Sequence, residues 1–178
     1  EGYRSGGFNA FAPERWREYE PERVRSLEIG VKGELKKLSR MRYSFSVYQM
    51  NVHDMQVQQM GQPGQVFISN AARAKSRGAE FEMEYMMFSD WMLQLGLSMN
   101  HTRFDEFRDG DVNHAGKHNP MAPDRSGYVG VRYDGGSWYA GARLNGASRV
   151  WLDAANVYPR TGHGLIDMTA GWGMNRNV

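Results

Sequence analysis

The sequence predicts an all-β protein, an antiparallel meander of about seven long strands, and three observations carry that expectation. Long stretches alternate strictly between apolar and polar residues, the mark of a strand with two unlike faces. In "RGAEFEMEYMMFSDWMLQLGLSMN" (77–100), Phe81, Met83 and Tyr85 alternate with Glu80, Glu82 and Glu84. Trp91, Leu93, Leu95, Leu97 and Met99 then alternate with Gln94, Gly96, Ser98 and Asn100. These strands have roughly ten residues each around a Ser89-Asp90 turn, whereas globular strands usually have about five or six. Short and long connections also alternate along the chain, so every long one falls at the same end of an antiparallel meander.

The elements follow in order. The first strand covers roughly Val24 to Lys36, with Leu27, Ile29, Val31 and Leu35 against Ser26, Glu28, Lys32 and Glu34. A turn at 37–40 leads to the second, Met41 to about Gln59. There Tyr43, Phe45 and Val47 take one parity and Met50 and Val52 the other, so a bulge is expected near Gln49 to return the apolar set to one face. The quoted pair supplies the third and fourth strands, the third beginning near Ala74. Ser126 to Tyr133 is the fifth, and Asp134-Gly135-Gly136-Ser137 is a hairpin turn. The sixth sets Trp138, Ala140, Ala142 and Leu144 on one parity; the seventh sets Ile166, Met168, Ala170 and Trp172 there. Long connections are expected near 60–73, 103–124 and 146–163.

Composition narrows the function classes. Across 178 residues, Lys plus Arg number 22 and Asp plus Glu 20, a net charge of +2 too small to point to nucleic acid. The absence of cysteine excludes a disulfide framework, a thiolate metal site and a cysteine nucleophile. No run approaches about 18 apolar residues, so no helix is long and apolar enough to cross a membrane. The mean hydropathy of −0.67 leaves a membrane barrel open, because such a barrel places its apolar half in every second residue. The chain begins Glu-Gly-Tyr, which reads as a processed or cut chain.

In a soluble sheet the apolar parity would pack on a core; in an outer-membrane barrel it would meet lipid while the Glu parity lines a wet lumen. The barrel reading has more support. The strands are long enough to span at a tilt, which takes about 9 to 11 residues. Tyr85, Trp91, Tyr133, Trp138 and Trp172 stand near strand ends on the apolar parity, where an interfacial girdle belongs. Short turns at one end and long loops at the other complete the pattern.

Specific stretches carry a family resemblance. "GYRSGGFNAF" (2–11) resembles a barrel segment of TonB-dependent outer-membrane receptors, and "YEPERVRSLEIGVKGEL" (19–35) is similar to that family's Tyr-Glu-Pro-Glu and Glu-x-Gly-x-Lys strand. "SVYQMNVHDMQVQQ" (46–59) resembles the next strand, and "ISNAARAKSRGAEFEMEY" (68–85) the Asn-Ala-x-x-Ala-x-x-x-Gly-x-Glu-x-Glu stretch after it. "NPMAPDRSGYVGVRY" (119–133) and "ASRVWLDAANVYPRTGHGLIDMTAGW" (147–172) look like a later strand with its Pro-x-x-Pro lead-in and the following hairpin. Each motif alone is weak; six in order are specific. The resemblance implies that 1–178 is a partial receptor barrel domain, one segment of a roughly 22-stranded transmembrane β-barrel. Plug domain, TonB box and final strands are expected to lie outside it. It further implies an outer-membrane location in a Gram-negative bacterium. The implied partners are a ferric siderophore or similar scarce nutrient, membrane lipid, and TonB through the plug region alone.

Candidate sites are few. Arg103, His114, His118 and Trp151 in the long loops are the expected ligand contacts, with Tyr158 beside them. His101, His114 and His118 with Asp105, Asp109 and Asp111 have the composition of a metal site. Gly116 and Asn119-Pro120 argue against the helix that His114-x-x-x-His118 would need, and Ala115 stands where a metalloprotease has Glu, so a solvated polar loop is the simpler reading. Glu80, Glu82 and Glu84 alternate on one strand and read as a lumen ladder rather than an acid–base pair. No Gly-x-Ser-x-Gly elbow and no glycine-rich loop leading into a helix is present, and Met83, Met87 and Met99 fall on the apolar parity. No catalytic residue, metal or cofactor is expected. The rival readings are an autonomous soluble β-sheet binding module and a small closed outer-membrane channel.

Overall fold

A computed structural model of the chain describes residues 1–10, 12–35, 40–60 and 66–173. Seven long strands follow one another: β1 (Glu22–Leu35), β2 (Met41–Met60), β3 (Val66–Phe88), β4 (Trp91–Asp109), β5 (Arg125–Asp134), β6 (Trp138–Ala147) and β7 (His163–Trp172). Each pairs antiparallel with its sequence neighbours. A short strand, Gly2–Arg4, lies along the outer edge of β1, and Val112–Asn113 returns along the end of β4. Among the described residues no α-helix occurs, only a 3-10 turn at Glu14–Trp16. β1 and β7 do not pair with each other, so the sheet stays open rather than closing into a small channel.

The register sorts the side chains by face. One rung joins Val31, Phe45, Phe81, Leu97 and Gly127; the next joins Tyr43, Met83, Leu95, Val129, Leu144 and Ile166. Leu27, Ile29, Leu93, Val131, Ala140 and Met168 therefore share this face, as the alternation predicts. Glu80, Glu82, Gln94, Ser98, Arg132 and Arg143 share the other. No second layer covers the apolar face among the described residues: Leu27 is 70 %, Ile29 68 % and Met168 77 % exposed. Burying such a side chain contributes about 1.5–3 kcal/mol in water, and this face leaves that contribution largely unused. At the turn end of this face Trp91 lies 5.1 Å from Tyr133, and Tyr133 4.6 Å from Trp138, forming the expected aromatic girdle.

The connections differ from expectation at the other end. β3 begins at Val66, not near Ala74, so most of the expected 60–73 loop is strand; residues 61–65 lie outside the described residues. β4 continues to Asp109, so 103–109 is strand as well. The turns 89–90 and 135–137 lie at the opposite end, as does the 36–40 connection; Leu35 and Met41 pair there, although 36–39 lie outside the described residues.

The bulge expected near Gln49 is also displaced. β2 pairs without interruption from Met41 to Val52, and its register shifts between Val52 and Met55, where Asp54 has φ 55°. Met50 and Val52 consequently stay on the polar face instead of returning to the apolar one. Val52 has a reason to be there. With Met55 and Val57 it packs on a small inner cluster of Ala72, Ala74, Phe104 and Phe107 at the long-loop end, and Ala154 covers the cluster from above. A shift between β3 and β4 leaves Asp105 unpaired on β4 and thereby aims Phe104 and Phe107 to the same side.

Tyrosine rings lie flat against glycines across the inner face. A Cβ on Gly78 would meet the Tyr48 ring and the Met99 carbonyl at 2.5 Å, and one on Gly96 would enter the Tyr128 ring. Gly78→Val and Gly96→Val are each expected to destabilise the assembled barrel by about 1–3 kcal/mol, the usual cost of overpacking. Urea titration of the full-length receptor in detergent checks this. Tyr128→Ala should recover part of the loss at position 96 but none at 78.

Candidate functional site

The long-loop end of β4–β7 carries two connections, 110–124 and 148–162. The first does not leave the sheet. It folds back along β4, with the His114 N–H donating to the Phe107 carbonyl (2.8 Å), the Gly116 N–H to Phe104 (2.8 Å) and the Phe104 N–H to Lys117 (2.9 Å). His118 then forms an isolated bridge opposite Arg103. Gly110 (φ +58°) and Gly116 (φ +80°) take left-handed conformations that these turns require.

The second connection is tied by the pair Val150–Trp151 with Pro159–Arg160. Inside it the Asp153 carboxylate accepts from the N–H groups of Tyr158 (2.8 Å) and Val157 (3.0 Å). Burial on its own pushes the Asp153 carboxyl up. Backbone N–H donors from Tyr158, Val157, Ala155 and Asp153 itself outweigh that effect and hold the group below its ordinary 3.8.

One side chain joins the loops. Asn156, at φ 56°, accepts the His118 N–H on Oδ1 (2.7 Å) and donates from Nδ2 to the His118 carbonyl (3.0 Å). The amide thus serves as a one-residue strand partner. The Met121 N–H adds a bond to the Trp151 carbonyl at 2.7 Å. The same device recurs nearby: Asn9 holds both backbone groups of Ile68 (2.9 and 2.8 Å), and Asn70 both of Glu20 (2.6 and 2.8 Å).

The expected contact residues separate into three environments. Arg103 sits on strand β4 rather than in a loop, on the parity of Met99 and His101, which is the outward face. Its Nε donates to His101 Nε2 (2.8 Å) and its Nη1 to the Gly116 carbonyl (3.1 Å). His118 joins it: Nδ1 lies 3.4 Å from Asp124 Oδ1, and its ring is 5.8 Å from that of His101. Trp151 stands on the second loop with the Arg149 guanidinium 4.7 Å over its ring. His114 is 7 % exposed and its ring lies 5.0 Å from Phe107, so it packs with the inner apolar cluster. Among the described residues no three His, Asp or Glu side chains converge as a metal site. The Arg103 N–H occupies the lone pair that His101 Nε2 would offer a metal.

Asn156 was not legible as a site residue. The only signal was an Asn in a polar loop three residues after an Asp, and Asn tolerates left-handed backbone.

A protein-family model described as "TonB dependent receptor-like, beta-barrel" matches residues 1–178. A search of curated proteins gave no match. Solved structures share the fold. The ferric yersiniabactin uptake receptor FyuA from Yersinia pestis superposes with a TM-score of 0.76 at 18% identity, over 96% of this chain and 26% of that one. BauA, the ferric preacinetobactin receptor from Acinetobacter baumannii, gives 0.68 at 15% identity, over 92% and 24%. The siderophore receptor PiuA from the same organism gives 0.69 at 16%, over 90% and 24%. The chain thus spans about a quarter of the length of the structures it resembles.

The Asp153 turn gives a direct test of loop order. Its carboxyl is held below 3.8, so its stabilising contribution is present above pH 3.8 and is lost as pH falls through the lowered value. Asp153→Ala is expected to speed hydrogen exchange at the Val157 and Tyr158 amides about tenfold at neutral pH, the scale of losing a hydrogen bond to a charged acceptor. Exchange mass spectrometry of the full-length receptor reads this. In the wild type the same protection should fall only below pH 3.8.

Proposed function

Because the chain belongs to the TonB-dependent receptor β-barrel family, we propose that it forms part of the wall of an active transporter for a scarce ligand, a ferric siderophore. Members of this family are transport receptors rather than enzymes, and they sit in the outer membrane of Gram-negative bacteria. One observation carries the reading for this chain: ordered loops crown one end of a sheet whose outward face is bare and apolar and whose inward face is polar. Siderophore receptors among the structural neighbours support the ligand class.

The proposed mechanism follows from the geometry. Loops 110–124 and 148–162 are latched together before ligand arrives, so capture costs little ordering entropy. Trp151 offers the aromatic contact, His118 a polar one at the outward rim that it shares with Arg103, and His114 holds the floor beneath. Glu80, Glu82, Arg132 and Arg143 line the wet inner face past which a released ligand moves. The outer membrane has no nucleotide supply, so the energy comes from the inner membrane through TonB, acting on a plug region outside this segment of a roughly 22-stranded barrel.

The test replaces Arg103, His114, His118 and Trp151 by Ala, singly and together, in the full-length receptor. Uptake of iron is measured with ferric yersiniabactin and ferric preacinetobactin as probes, and assembly by heat-modifiable gel mobility. His118→Ala and Trp151→Ala are each expected to weaken uptake of a transported probe about tenfold with assembly intact. Unchanged affinity in the quadruple variant would remove these residues from the site.

A further inference from the structure

The inner wall sorts its charges by strand. Glu80, Glu82 and Glu84 face inward from β3, and Arg132 and Arg143 from β5 and β6. Between them β4 presents the uncharged Gln94, Gly96 and Ser98. One inward rung joins Arg42, Glu84, Gln94, Gly130, Arg143 and Asp167. Its carboxylates are engaged away from Arg143. Glu84 lies 3.8 Å from Arg42 and accepts from Gln94 (3.3 Å), while Asp167 accepts from the Asn145 amide at 2.6 Å. No ion pair among the described residues engages Arg143, and its Nε is buried without a hydrogen-bond partner.

The wall holds this unpaired cation in one pose. Gly130, opposite Arg143 on β5, has no side chain, and a Cβ there would meet the arginine stem at 3.5 Å. The stem passes beside the glycine, and the guanidinium lies 3.4 Å over the Tyr128 ring. Tyr128 in turn covers Gly96, where a Cβ would enter the ring. Glycine, tyrosine and arginine thus form three tiers across β4, β5 and β6. The ring attracts the cation without neutralising it. A guanidinium laid flat keeps its N–H groups in its own plane, where they fit a carboxylate two at a time. Because the stack has already fixed the fork, binding costs little further ordering. Arg132, one rung nearer the turns, lies 4.8 Å over Tyr139 but shares its charge with Asp134 (3.5 Å). One unshared guanidinium matches the single charge of a carboxylate, whereas a phosphate group brings nearly two.

We propose that Arg143, positioned by Tyr128, binds a carboxylate of the transported ligand as it passes along the inner wall. The inference rests on the transport reading and deepens it by naming the chemical group held. Toward the loops the wall carries Ser98 and Ser126 on one rung and Asn145 on the next. A carboxylate released from the loops therefore meets uncharged hydrogen-bonding groups first and the unshared cation next. The glutamates of β3 repel it toward that side.

The experiment uses the full-length receptor in detergent with citrate as the probe, binding being read by isothermal titration calorimetry. The wild type is expected to bind citrate, and R143Q to bind it about tenfold more weakly, the scale of losing a hydrogen-bonded ion pair. Tyr128 is a positioning residue, so Y128F, which keeps the ring, should bind like the wild type, and Y128L should lose as much as R143Q. R42Q removes a cation of the same rung that already has a carboxylate partner, and should bind like the wild type. Equal binding by R143Q would overturn the proposal, as would an equal loss in R42Q. No citrate binding by the wild type would overturn it too; a lowered urea midpoint in R143Q would then assign the guanidinium to a carboxylate of the receptor itself. If the wild type bound citrate through Arg143 yet took up neither siderophore probe, the transport reading would fall and the carboxylate site would stand.

Discussion

Tyr43 pairs with Gly33 and Met83, Met83 with Leu95, Leu95 with Val129, and Val129 with Leu144, so one ladder of backbone bonds decides the face of every side chain along its length. A slip of one residue anywhere would carry a row of glutamates to the bare apolar side. The ladder is also constrained by its solvent. In hydrocarbon an unpaired backbone group costs several kcal/mol, so a bulge is tolerable only near the ends of a strand. The register shifts obey this. They fall at Val52/Met55, Met55/Val57 and Arg73/Ala74 toward the loops and at Met86/Phe88 toward the turns, while 41–52 and 74–85 pair without a break.

This inversion of inside and outside changes what holds the chain together. Only Phe67, Ala72, Ala74, Phe104, Phe107 and Val150 are buried apolar residues among those described, far too few to stabilise a chain of 178 residues by core packing. The backbone ladder and cross-strand side-chain pairs take that role. The tyrosine–glycine contacts belong to the same logic. A glycine leaves backbone uncovered, and a ring from the neighbouring strand covers it, as Tyr48 does at Gly78 and Tyr139 at Gly171. Arg143 then stacks 3.4 Å over Tyr128, extending the layer toward the lumen.

Strand identity, faces, turn positions and the family were legible in the sequence because each rests on period-two alternation or on motifs with fixed spacing. The lengths of β3 and β4 were not. Residues 66–73 and 103–109 lose the alternation because they lie beyond the bare apolar belt, and polar residues then occupy both parities. Met50 and Val52 misplaced the bulge for a related reason: the parity rule assumes one apolar solvent, whereas the loop end also has a small apolar cluster on the inner face. Nothing in the sequence told how the fold would group the four expected contact residues. His118 and Arg103 do meet across a bridge. The outward parity of Arg103 was already implied by counting from Met99, but a loop assignment at 103 ended the count too early.

His114 shows how local bulges decide the chemistry available to a residue. Its spacing from His118 resembled a ligand pair. The extra residue Asp105 turns Phe104 and Phe107 to one side of β4, and the returning segment lays His114 across Phe107. Nearly buried among rings, its imidazole acts as packing, while His118, four residues on, keeps its Nδ1 toward Asp124. The same fold-back exposes the backbone of His118, whose N–H and carbonyl would otherwise lack a strand partner at the sheet edge. Asn156 supplies one. An amide clamp needs a single residue of correct conformation instead of a paired strand, so it can join loops that are far apart in sequence without fixing their lengths. Three such clamps at the loop end, and none needed along the paired middle of the strands, mark where the ladder stops and side chains take over its work.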